Sequence, residues 1–148
     1  MEVKKAMIQP IVTEDLPELQ ALYEELIGEG SNLAQVEAVY QKMRGNEAYH
    51  LLGYKVDGVL AGSVMGILCH DLVGSCKPFM VVENVIVSSR FQGHGVGKKL
   101  MLAIEKIANA NECGYIMFVS SAYRKEAHQF YASLGYALDG VQGFRKML

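Results

Sequence analysis

The residues with the plainest chemistry are Gln92-Gly93-His94-Gly95-Val96-Gly97, a glycine-rich turn. It follows an apolar run ending at Val87 and precedes residues with helical apolar spacing. Glycines let the backbone turn sharply and approach a ligand without Cβ clashes. The free N–H groups of a helix starting there, with the helix dipole, make an anion site suited to a pyrophosphate. Lys98 and Lys99 add positive charge. Two phosphate motifs fail on spacing. A Walker A loop needs a glycine five residues before Gly-Lys-Ser/Thr, whereas Gln92 stands there and Lys99 follows Gly97-Lys98. The dinucleotide fingerprint G-x-G-x-x-G is met only as G-x-G-x-G, late in the chain.

A second chemical group is Glu83, set among Val81, Val82, Val85 and Ile86. A carboxylate there would be costly against a dry core. It is therefore expected to face a cleft, where burial would raise its pKa and suit it to act as a base. It could equally hold substrate or water. Asn84 points to the other strand face and reads as structural. His70 and Asp71 are reserve bases, and His128 reads as a helix-surface residue. Glu24, Glu25 and Glu29 form either an attraction for a cationic amine or a solvated helix end.

These groups must be positioned by ordered elements. Met7 to Val12 reads as a strand. Thr13 to Asp15 would cap a helix bearing Leu16, Leu19, Leu22, Tyr23 and Leu26 on one face, ended by Gly28 and Gly30. Asn32 to Met43 repeats the helical pattern. Ala48 to Val56 and Val59 to Cys69 form a hairpin about Asp57-Gly58. A second strand pair leads through Phe79 to Val87, apolar enough to be buried on both faces. Lys98 to Glu112 is a helix, Tyr115 to Val119 a strand, and Lys125 to Leu134 a short helix ended by Gly135. Tyr136 to Leu148 would close with one or two strands around Gly140 and Gly143. The order β-α-α-β-β-β-α-β-α-β implies an α/β fold, with a mostly antiparallel mixed sheet and helices on both faces.

With its motifs in this order, the chain resembles the GCN5-related N-acetyltransferase family, in particular its small-molecule branch. Gln92 to Gly97 matches the family's Gln/Arg-x-x-Gly-x-Gly loop. The match extends through Glu83-Asn84-Val85-Ile86-Val87, Ala127-His128-Gln129-Phe130-Tyr131, Leu134-Gly135-Tyr136 and the final Phe144-Arg145-Lys146-Met147-Leu148. It covers essentially the whole chain, read as one acetyltransferase domain, 1–148. The resemblance implies acetyl-CoA as cosubstrate, a primary amine of a small molecule as acceptor, and direct attack. It implies that Gln92, Gly93, His94, Gly95, Val96, Gly97 and Lys98 hold the pyrophosphate. It further implies that the preceding strand splays, and that Val85, Ile86 and Val87 pair with the pantetheine arm as an added strand would. An N–H near Val85 would hold the oxyanion. Tyr131 stands where the family often places a Tyr beside the sulfur, so it is the candidate acid; otherwise it packs its ring and bonds its hydroxyl. Many members carry Asn where this chain has Arg124. Arg124 either reaches a phosphate or is a solvated helix-start residue.

Composition narrows the classes. The 148 residues suffice for one core, and 14 Lys plus Arg against 16 Asp plus Glu leave no basic excess for nucleic acid. No apolar run spans a bilayer, and Glu2, Lys4, Lys5 and a short apolar stretch give no signal-peptide core. Cys69, Cys76 and Cys113 are odd in number and widely spaced. They read as reduced thiols of a cytoplasmic protein, with neither a disulfide framework nor a metal site. Base rates allow a homodimer. The rival reading is a non-catalytic acyl-CoA-binding regulator; a nicotinamide enzyme is more distant.

Overall fold

The computed structural model describes residues 5–148, so Glu2 and Lys4 of the export argument lie outside the described residues. The chain divides into two compact units, Met1–Met117 and Phe118–Leu148.

The first unit is built on a five-stranded sheet whose spatial order is its chain order. Strand β1 is Ala6–Pro10, β2 is Tyr49–Val56, β3 is Val59–Cys69, β4 is Phe79–Val87 and β5 is Ile116–Met117. The first four pair antiparallel; β5 joins β4 in parallel. The β2–β3 hairpin turns through Asp57 and Gly58 with φ of 49° and 81°, as expected for Asp-Gly.

Helices cover both faces. On one, α1 (Leu16–Ile27) buries Leu16, Leu19 and Leu22 with Ile11 and Leu60. It stops at Gly28, whose φ of 78° only glycine adopts freely. Its start is fixed by Asp15, which accepts from the Val12 N–H at 2.9 Å and pairs with Lys55 at 2.5 Å. Helix α2 (Leu33–Arg44) is capped by Asn32, which accepts from the Gln35 N–H at 3.1 Å. On the other face, α3 (Val96–Ala110) buries Val96, Leu100, Met101, Ile104 and Ala108. It lies close because β3 offers glycine beneath it. A Cβ on Gly62 would stand 2.9 Å from Val96 Cγ1, and one on Gly66 2.8 Å from Ile104 Cδ1.

The second unit, Phe118–Leu148, contains α4 (Lys125–Ser133) and an aromatic cluster in which Tyr131 meets Phe118 edge-on at 4.5 Å. The expected closing strands in Tyr136 to Leu148 do not form. This unit contains no strand, so within it the segment has no edge to pair with. Leu138, Val141 and Phe144 are exposed. The final β of the expected element order is therefore absent among the described residues. No second strand pair precedes Phe79, and Tyr115 to Val119 contributes only the two residues of β5. Helix α3 starts at Val96 rather than Lys98 and ends at Ala110; Glu112, at φ 58°, cannot extend it. Among the described residues, no helix is long and apolar enough to cross a membrane.

Candidate active site

The turn between β4 and α3 begins with the Ser88 N–H donating to Ala61 O at 2.8 Å. A 3₁₀ turn, Ser89–Phe91, follows. Its first N–H, on Ser89, donates to Glu25 Oε2 on α1 at 3.2 Å. Gly93 and Gly95 then take φ of 82° and 77°, and Gly95 is the N-cap of α3. No atom lies within 4 Å of where a Cβ would stand on either glycine, so the turn opens on space. The first helical bond is from Lys99 N–H to Gly95 O, 3.1 Å. The N–H groups of Val96, Gly97 and Lys98 precede it and have no intrahelical acceptor. Buried Val96 anchors the turn, while Gln92, Gly93, His94, Gly95 and Lys98 are exposed. This cradle fits a pyrophosphate. Lys99 is directed elsewhere: its ammonium donates to Tyr54 Oη at 3.2 Å, on β2.

The strand before the turn is irregular in two ways. The parallel ladder to β5 has only two pairs, Met80↔Ile116 and Val81↔Met117. Opposite β3, the register slips by one residue, since Ser63 faces Ile86 while Met65 faces Glu83. Asn84, at φ 56°, occupies that bulge. Asn tolerates the left-handed region better than most residues. Val85, Ile86 and Val87 follow the bulge and are half-buried. Phe79 to Val87 is not buried on both faces as expected: only Met80 and Val82 are buried, and both lie on the α3 face. Glu83 is exposed on the face it shares with half-buried Phe79 and Val81; Asn84 is exposed because the bulge breaks the alternation of faces there. Glu83 thus does not have the buried setting expected for it. Its place opposite Met65 puts it on the α1 face of the sheet.

In the second unit, Tyr131 lies on α4 at 7% exposure. Burial pushes its phenol pKa up, and the Arg124 guanidinium pulls it partly down. Arg124 is exposed at the N-cap of α4. His128, read as a surface residue, is half-buried, with Nε2 3.0 Å from Ser121 O. Among the described residues, no group of three His, Cys, Asp or Glu is placed to hold a metal ion.

Three features escaped sequence reasoning. Glu25 caps the turn after β4, 64 residues away in the chain. Tyr23 of α1 hydrogen-bonds Ser63 of β3, and its burial pushes the phenol up to about 12. Asp15 is buried at the start of α1. Only the last had a signal, an acidic residue at a helix start beside apolar neighbours.

Against known proteins, the model of the "Acetyltransferase (GNAT) family" matches residues 16–136. A search of the curated proteins finds no match. Solved structures share the fold at low identity. A putative acetyltransferase from Agrobacterium tumefaciens superposes with TM-score 0.90 at 20% identity, over 96% of this chain and 99% of its own. A transcriptional regulator from Bacillus halodurans gives 0.89 at 17%, over 97% and 100%. A glucosamine-6-phosphate N-acetyltransferase from Arabidopsis thaliana gives 0.84 at 18%, over 96% and 98%.

Proposed function

Because the chain belongs to the GNAT family of acetyltransferases, we propose that it moves an acetyl group from acetyl-CoA to a primary amine of a small molecule. The observation that carries this reading is the open turn at Gly93 and Gly95, aimed by the N-terminus of α3. Gln92 to Lys98 would hold the pyrophosphate there. Val85, Ile86 and Val87, beyond the last β4–β5 pair, would pair with the pantetheine arm. Arg124 would meet a phosphate.

The acceptor must be a neutral amine, yet a free alkylamine has a pKa of about 10, by analogy with Lys. Glu83, exposed on β4, takes its proton directly or through water. The amine nitrogen attacks the thioester carbonyl carbon, and an N–H near Val85 holds the oxyanion. The C–S bond then breaks, and the thiolate takes a proton from Tyr131. The attacking nitrogen, cationic after addition, gives its second proton to solvent as the amide forms. Glu83 has gained one proton and Tyr131 has lost one; exchange with solvent restores both, and one proton is released overall. The two units would work as one acetyltransferase domain. A cytoplasmic setting is supported by the three unpaired cysteines.

Calorimetric titration with acetyl-CoA, with NADH as control, tests the cosubstrate. Saturable acetyl-CoA binding without NADH binding is expected, followed by thiol release when an amine panel is added. Binding without thiol release from any amine would favour a non-catalytic acyl-CoA-binding protein. No acetyl-CoA binding by folded protein would sink the proposal.

A further inference from the structure

Helix α2 carries an apolar stripe, Leu33, Val36, Tyr40 and Met43, yet none of its residues is fully buried. Beneath its last turns lies a cavity of about 500 Å³, walled by Tyr40, Met43, Tyr49 and Leu51. That volume suits a small organic ligand. The Tyr40 hydroxyl is committed to Ile11 O at 2.7 Å, so Tyr40 is held in place as a wall. Exposed Glu14 and Arg44 also line the cavity. Their opposite charges cancel, which leaves an uncharged body as the occupant the walls favour. Two tyrosine rings and a methionine favour an aromatic one.

The register links this cavity to the proposed base. Leu51 stands directly opposite Met65, and Met65 directly opposite Glu83. Directly opposed residues share a face. Leu51, Met65 and Glu83 therefore form one row across three strands, spanning two strand spacings, on the order of 10 Å. Met65 is only half-buried, as is Ile67 beside it, so the row is not sealed.

We propose that the cavity under α2 holds the body of the acetyl acceptor. The acceptor is then a primary amine borne on an aromatic-ended apolar body, with the nitrogen at Glu83 and the ring between Tyr40, Met43 and Tyr49. This rests on the transferase reading above.

The test is a series of phenylalkylamines of increasing spacer length, assayed by thiol release at saturating acetyl-CoA. The value of kcat/KM should rise about tenfold once the ring can reach the cavity. Met43→Trp fills the cavity and should remove that gain; acetyl-CoA titration reports that the variant is folded. Tyr49→Ala, at a more exposed wall, should reduce the same gain if Met43→Trp fails to fold. A rate independent of spacer length, or a gain that survives both substitutions, overturns the proposal. Acetyl-CoA binding with no amine of any length acetylated sinks the transferase reading instead. The cavity is then read by calorimetry of the longest amine alone: equal binding to wild type and Met43→Trp removes the cavity as its site, and loss in the variant retains it.

Discussion

At the scale of single residues, two tyrosines in unlike settings have opposite uses. Burial raises the Tyr131 phenol and Arg124 only partly offsets this, so the proton is retained through the neutral range and is available to a leaving thiolate. Tyr131→Phe should keep acetyl-CoA affinity by calorimetry while kcat, followed by thiol release, falls about a hundredfold. An unchanged kcat would remove Tyr131 from proton transfer. Tyr23 is structural, and its consequence is pH dependence. Its phenol is raised from 10 to about 12 in the folded protein. Below pH 10 both folded and unfolded chains keep the proton, and the stabilisation is whole. Between pH 10 and 12 the unfolded chain ionises first, so stability falls as pH rises, by about 2–3 kcal/mol over that window. Urea unfolding of wild type and Tyr23→Phe from pH 9 to 12 should show wild type losing about 2–3 kcal/mol more than the variant. The residues of the candidate site could be named from the sequence, but their exposures were not legible there. Glu83 sits among valines, yet it shares the face of Phe79 and Val81, neither of which is buried, and is itself exposed.

At the scale of elements, the fit of α3 on β3 sets where the turn proposed to hold the pyrophosphate points. A Cβ on Gly62 would stand 2.8 Å from Ile86 O and 2.9 Å from Val96 Cγ1. The carbonyl belongs to β4, so it cannot yield as a side chain would. Gly62→Ala should destabilise the fold by about 1–3 kcal/mol in urea. It should also raise KM for acetyl-CoA, because Val96 is the first residue of the helix that carries the turn. A neutral result in both would show that α3 tolerates displacement. Helices and the β2–β3 hairpin were readable because periodicity and Asp-Gly chemistry are local. Strand limits depended on partners instead. β5 has only two residues because it pairs with β4 only at Met80 and Val81. The apolar residues between Tyr136 and Leu148 form no strand for want of an edge in their own unit.

At the scale of the whole chain, fold class and family were legible because two ordered motifs, Gln92 to Gly97 and Ala127 to Tyr136, each join a backbone need to a fixed place between elements. The cavity under α2 and the brace from Glu25 to Ser89 were not legible. Both arise from contacts between segments far apart in sequence, which no local pattern encodes. The equality of chain order and spatial order in the sheet has a kinetic consequence. From Tyr49 onward, β2, β3 and β4 can zip against each other by local antiparallel contacts as they leave the ribosome. Strand β5 has to wait for all of α3, since parallel pairing needs the crossover to be complete. The turn after β4 needs α3 docked on β3, and the helix is held at its far end only by that late closure, so the proposed ligand cradle is completed after the antiparallel strands of the sheet.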